Sequence, residues 1–546
     1  MPSTIRPTVS PAMIGKVGRL FNGTLADILA ELFQNARRAG ATMLRVDAHP
    51  SADATILTIT DDGCGIDDPA SIVTLGHSGW SEAICSSEDP AGMGVFSLAG
   101  RDVAITSRTA DRPVGWSVAI GAGQWDGGDD LVVAEADHSP GTTISIVLPP
   151  EWLQQLDDVI ATAARHFPVP VSFNGSELAR QDWLDGAIAV SAWNGSRIGV
   201  FEGADPYGAR INFHGVTIKC RLPSLTQVND RALLARVDIG STPSLQLVLP
   251  ARKEAVENDG LAALRAAAER AIFAAVAEQP SHSLGFEDWQ RARSLGVDLP
   301  EAAPLLRAWQ PQLADSAFSR EDGPLLATES AVLAGDLEPQ IASPLDRALR
   351  DDPLRQSLVQ PERRYVGYAW YDRLPSIIDV AFHVAAVDGA AHVIGLHGDV
   401  PELPDHVEAR AIDMVVTVQS GDEAANHVVA TDLAFGSADN CWYDLDAARI
   451  AWVRGLTPDQ LAEQLENAFF ASSDDHDADN WDTQHGHFQD AARIIAMDLL
   501  ASPDDALVDR VRRAISDHVW FLPEKRSITI AIVDRAINVA LGPEPV

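Results

Sequence analysis

Lysine is nearly absent from this 546-residue chain: only Lys16, Lys219, Lys253 and Lys525 occur, so its positive charge is almost entirely arginine. Basic side chains number 41 against 78 acidic ones, a formal net charge of −37. Phosphate neutralisation supplies most of the affinity in sequence-independent nucleic-acid binding, so this balance argues against it and leaves room only for a local basic patch. The few cysteines, Cys64, Cys85, Cys220 and Cys441, stand far apart with no paired ligand spacing, so neither a disulfide framework nor a zinc site follows. No run of about 18 uncharged apolar residues is present to cross a membrane. The opening "MPSTIRPTVSPAMIGK" lacks the apolar core of a signal peptide. A cytoplasmic location and no membrane partner are the expectations.

What is present suits a globular protein: 46% hydrophobic and 22% charged residues are enough for sizeable cores. The length predicts about three domains. From Leu25 the apolar residues Leu25, Ile28, Leu29, Leu32, Phe33, Ala36 and Ala39 keep helical spacing, with Thr24 as N-cap and Gly40 as terminator. Strands follow in "TMLRVDA", "ATILTIT", "DVAITSR", "VGWSVAI", "DLVVAEA" and "TTISIVLP". One early helix layer with many hairpin-connected strands predicts an α+β fold, a two-layer α/β sandwich on a mostly antiparallel sheet. "EWLQQLDDVIATAARHF" predicts a helix, and "PVPVSFNG" an exit into a second unit. The expected divisions are residues 1–172, a second α/β domain at 173–285 closing on the helix "DGLAALRAAAERAIFAAVAEQ", a helical connector at 286–360, and an α/β region at 361–546.

Four segments carry chemistry. In "ELFQNARRAG", Glu31 and Asn35 lie one turn apart on the shoulder beside Ile28, where a helix packed on a sheet can offer polar groups to a cleft. Alone, they could be ordinary surface residues. In "ITDDGCGI" an acid follows directly on a strand, and Gly63 and Gly65 allow a tight turn and close backbone approach to a ligand. Alone, this is an acidic glycine turn. "AGMGVFS" could be a loop into a core element, and "SPGTTISIVLP" a turn and a strand.

The ordered set is more specific than its members: E-x-x-x-N on a helix, D-x-G-x-G after a strand, a Gly-rich stretch, G-x-G, then G-T opening a strand. Over about residues 20 to 150 it resembles the GHKL ATPase superfamily: ninety-kilodalton heat-shock chaperones, the gyrase B subunit, MutL and MORC proteins, and histidine kinases. The resemblance implies an ATP-binding domain of Bergerat type that uses ATP and Mg²⁺. Glu31 would be the general base that activates water, and Asn35 the Mg²⁺ ligand. Asp61 would take the adenine amino group, with Thr142 helping through water, and Gly63 and Gly65 would line the adenine. Gly92, Met93, Gly94 and Val95 would offer backbone amides to the phosphates. Ser78 and Gly79, in "GHSGW", would belong to a lid over the nucleotide. Arg38 departs from the pattern, since many relatives have an acid at that place.

An acid rather than Asn at position 31, with no phosphoacceptor helix ahead of it, favours hydrolysis over histidine phosphorylation. The stretch "LQLVLPARKEAVENDGLAALRAAAERAIF" is similar to a chaperone middle or transducer domain. There Arg252, or alternatively Lys253, would reach the γ-phosphate; both could also be solvated residues before a helix. The implied function is a slow ATPase working as a chaperone-like conformational machine, with a protein client and homodimerisation by analogy. The alternatives are a DNA-associated clamp and an ATP-sensing scaffold with little turnover. His476, His485 and His487 stand among acids in "SSDDHDADNWDTQHGHFQD", which suits a loop capping the next helix better than a metal site. No P-loop pattern competes.

Overall fold

The computed structural model describes residues 24–50, 54–74, 80, 84, 94–125, 130–203, 208–240, 246–247, 254–315, 323–327, 330–395, 403, 405–437, 445–475, 477–516, 519–521 and 526–542. The chain falls into two compact units, residues 1–302 and 303–546, and the class is α+β.

In the first unit helix α1 (Leu25–Arg38) starts where Thr24 Oγ1 accepts the Asp27 amide at 3.2 Å. It stops at Gly40, whose φ of +74° suits a residue without Cβ, while the Ala41 amide returns to Ala36 O at 3.0 Å. Strands β1 (Leu44–Pro50), β2 (Thr55–Asp61), β3 (Val103–Arg108), β4 (Gly115–Ile120), β5 (Val133–Ala136) and β6 (Gly141–Leu148) precede helix α2 (Leu156–Arg165). Strands β7 (Val171–Phe173) and β8 (Ser176–Glu177) come after it. The sheet order is β5-β4-β3-β6-β2-β1-β7-β8, antiparallel throughout except where β7 joins β1 in parallel.

The two faces of this sheet differ, as alternation demands. Leu44, Val46, Leu57, Ile59, Val103, Ile105 and Ile146 bury against Ile28, Leu29, Leu32 and Phe33 of α1 and Ile160 of α2. The opposite face carries cross-strand hydroxyl pairs, Thr58 with Ser145 at 3.1 Å and Thr60 with Thr143 at 3.0 Å.

A second sheet in the same unit holds β9 (Ala189–Trp193), β10 (Ser196–Glu202), β11 (Ile211–Phe213), β12 (Val216–Ile218), β13 (Ser224–Thr226) and β14 (Ala232–Ile239). Helix α3 (Asp259–Ala277) buries Leu261, Leu264, Ala268 and Ile272 on it, and α4 (Phe286–Ser294) adds Ala292. The "PVPVSFNG" stretch, expected as an exit, supplies β7 to the first sheet instead. Its partner β1 lies more than a hundred residues earlier, a pairing that no local pattern encodes.

The second unit begins inside the expected helical connector, where helices mix with short strands: β15 (Leu305–Arg307), β16 (Leu325–Ala327), β17 (Val332–Leu333), α5 (Pro339–Ala348), α6 (Pro353–Ser357) and β18 (Leu358–Val359). An eight-stranded mixed sheet follows from β17 and β18 through β19 (Ser376–Ala386), β20 (Ala391–Gly395), β21 (Val407–Ser420), β22 (Glu423–Thr431), β23 (Leu433–Ser437) and β24 (Ala448–Val453). Helices α7 (Pro458–Phe469), α8 (Trp481–Leu500) and α9 (Pro503–Ser516) come next, then the hairpin β25 (Ser527–Val533) and β26 (Ala536–Gly542). Among the described residues no helix is long and apolar enough to cross a membrane.

Candidate functional site

Asp61 and Asp62 are neighbours with opposite environments. Asp61 ends β2 and faces Thr142, near the start of β6, in the ladder; its Oδ1 accepts the Gly63 amide at 2.9 Å. Burial pushes its carboxyl above the ordinary carboxylate range. The amides of Gly63 and Thr142 and the nearby His138 oppose that shift, while the charge of Asp62 adds to it. Asp62 turns to solvent and accepts the amides of Thr42 at 2.7 Å and Met43 at 3.1 Å, and also the Thr42 hydroxyl. Partial burial lifts its pKa, but these donors win and hold it below the ordinary range. One acid is stored in a half-buried corner; the other caps a strand.

The glycines bring this corner onto α1. A Cβ on Gly63 would stand 2.7 Å from Ala39 Cβ, and the Cys64 amide donates to Ala39 O at 2.9 Å. Ala39 in turn donates to Asn35 O at 2.9 Å, so the turn after Asp61 docks one helical turn beyond Asn35. Gly65 has φ +73°, and a Cβ there would lie 2.1 Å from Arg108 O. Gly94–Leu98 forms a 3-10 turn against α1, with Phe96 and Leu98 in the core and Val95 half-buried beside it. Glu31, Asn35, Gly63 and the 94–98 turn therefore gather at α1, while Asp61, Gly65 and Thr142 gather where β2, β3 and β6 meet.

Ser78, Gly79, Gly92, Met93, Arg252, Lys253 and His476 lie outside the described residues. His485 Nε2 is 2.6 Å from Glu466 Oε1, His487 is exposed, and α8 is capped by Asn480 Oδ1, which accepts the Thr483 amide at 2.9 Å. Among the described residues no three metal-binding side chains cluster.

Two buried polar residues beside these segments escape a reading of the sequence. Ser107 is fully buried; it donates to Gly141 O at 2.9 Å and accepts the Ile66 amide at 2.9 Å. Its 3.0 Å contact with Thr142 Oγ1 then makes Thr142 the donor, leaving the Thr142 oxygen free to accept. Gln34, 3% exposed, donates to His214 O at 2.7 Å and Phe213 O at 3.2 Å, tying α1 to the β11–β12 turn. Strand register would reveal Ser107, but nothing in "DVAITSR" marks it. A cavity of about 1080 Å³ lies on the Asp27, Ala30 and Gln34 side of α1 and is not lined by Glu31, Asn35 or Asp61.

Asn35 Oδ1, the oxygen expected for Mg²⁺, accepts a hydrogen bond from Arg38 Nη1 at 3.2 Å, and Arg38 is only 7% exposed. A divalent ion bonded to that oxygen at roughly 2.1 Å would stand no farther than about 5 Å from this nitrogen. An ion there would have to share or take that oxygen from the guanidinium.

No family model matches the chain, and no curated protein does. Among solved structures, the ATPase region of Saccharomyces cerevisiae topoisomerase II is similar at 10% identity with a TM-score of 0.31, covering 42% of this chain and 76% of that one. So loose an overlap fixes neither fold nor function.

Proposed function

We propose that residues 24–148 bind ATP in the manner of a GHKL domain and hydrolyse it slowly. The observation that carries this reading is the Asp61 corner. A carboxylate is kept at a desolvated strand end, its turn pinned to the helix bearing Glu31 and Asn35, with a free Thr142 oxygen opposite. Burying a carboxylate with so few donors costs stability, and an exocyclic amine would repay that cost.

In this reading the adenine amino group donates to Asp61, and a water joins the base to Thr142. Gly63 and Gly65 bring bare backbone up to the ring. The amides of Gly92 to Val95 receive the phosphates, and Ser78 and Gly79 close over them. Glu31 accepts the proton of the water that attacks the γ-phosphorus, and the leaving ADP oxygen takes the negative charge. Arg252 or Lys253 would stabilise that charge from the second sheet. The Gln34 bond to His214 O supports a conformational machine, since it links the nucleotide helix to the second sheet within one unit. A net charge of −37 counts against the DNA clamp.

The test is phosphate release from ATP by wild type, Glu31→Ala and Asp61→Asn. The expected pattern is slow release by wild type, binding without release by Glu31→Ala, and neither by Asp61→Asn. If wild type and Glu31→Ala bind alike and release phosphate equally poorly, the enzymatic reading fails and the sensor remains.

A further inference from the structure

We propose that the hairpin β25–β26 is a self-association surface, whose apolar face packs on the same face of a second copy of this chain. The inference does not depend on the ATP reading. Its basis in the sequence is alternation: Ile528, Ile530 and Ile532 alternate with Ser527, Thr529 and Ala531, and Ile537, Val539 and Leu541 with Ala536, Asn538 and Ala540. Register then brings the large residues to one side. Ile528 pairs with Leu541, Ile530 with Val539 and Ile532 with Ile537, so six aliphatic side chains share one face. The other face carries small and polar residues, with Val533 beside the turn as its exception. The two-residue turn fixes this register: Asp534 and Arg535 both have positive φ, +50° and +66°, as a tight hairpin turn of this hand requires.

A face patterned this way suits a covered layer, yet the fold leaves it open. Ile532, Ile537, Val539 and Leu541 keep 50%, 67%, 63% and 62% of their surface, and Ile528 and Ile530 are half-buried. A two-stranded hairpin alone is marginal in water and needs a further layer. Three features select a second copy as that layer. None of the six residues is ionisable in a chain of net charge −37, so two like-charged copies can meet here without pressing carboxylates together. The strip is also self-complementary, since an aliphatic hairpin can stack on its own twofold image as the sheets of a sandwich do, about 10 Å apart. Finally, the area suffices. The four most open side chains leave roughly 100 Å² each to water. With the two half-buried isoleucines, a pair of faces covers about 1,000 Å² on both copies together, the lower limit for a specific interface. Association in the micromolar range follows from so small a contact.

The experiment is sedimentation velocity of the full chain without nucleotide, from about 1 to about 200 μM, for wild type, Val539→Asp and Asn538→Asp. Wild type is expected to pass from the 58.5 kDa monomer to a species of twice that mass as concentration rises. Val539→Asp sets a carboxylate in the middle of the strip, opposite Ile530, and is expected to weaken association by about tenfold or more. Asn538→Asp adds the same charge on the other face and should stay within about threefold of wild type. Circular dichroism checks that both variants fold, and Ile537→Asp repeats the test should Val539→Asp misfold. A wild type that stays monomeric throughout overturns the proposal with no variant needed. So does a dimer that Val539→Asp leaves intact, which would put self-association elsewhere and leave this face to another protein. Equal weakening by the two variants also overturns it, because net charge rather than the face would then govern association.

Discussion

Asp61 is the residue whose chemistry is least explained by the fold. Its carboxyl is raised by burial, so protonation favours the folded state. That favour is complete below the ordinary carboxylate pKa and disappears as pH rises through the raised value. At neutral pH the ionised Asp61 therefore costs stability. Asp61→Asn is expected to raise the melting temperature of the nucleotide-free protein at pH 7, with the gain shrinking as the buffer is acidified. Calorimetry across that range checks the sign. Wild-type ATP affinity should fall over the same acid window, because the protonated carboxyl no longer accepts the amine. Ser107 makes a second prediction at this scale. Ser107→Ala would strand the Ile66 amide, the Thr142 hydroxyl and Gly141 O, and should cost about 2–3 kcal/mol in denaturant unfolding. Asp61 could be singled out in the sequence because a strand and two glycines frame it. Ser107 could not, because its role exists only once β3 and β6 are in register.

Helix α1 and the first hairpin were legible as elements: the apolar spacing from Leu25, the Thr24 cap and the Gly40 stop all recur at the expected residues. The glycines separate two physical roles that the sequence cannot tell apart. Gly40 and Gly65 both have positive φ, yet nothing lies within 4 Å of a Cβ at Gly40, whereas Arg108 O would lie at 2.1 Å from one at Gly65. Gly40→Ala should therefore cost about 1 kcal/mol of backbone strain, and Gly65→Ala about 3 kcal/mol or more, since the β3 backbone must also move. Paired chemical denaturation curves decide this, and equal costs would contradict the docking of the 61–65 turn. The docking of β7 on β1 was not legible, because parallel pairing across α2 leaves no local signature.

Across the whole molecule, composition gave the class but not the divisions. Alternating strands and spaced helices yield an α+β chain from pattern alone, but where one unit closes depends on long-range contacts such as those that keep residues 286–302 with the first unit. The strong acidity makes a further prediction: DNA should bind, if at all, without the steep salt dependence that several phosphate contacts produce. Gel-shift titration at two salt concentrations measures it. The proposed function depends most on the Asp61 corner, and the direct measurement is equilibrium binding of ATP to wild type and Asp61→Asn, with circular dichroism confirming that both are folded. It predicts saturable binding by wild type and a loss of at least about a hundredfold in the variant. Equal affinities, or no binding by either protein, would contradict it.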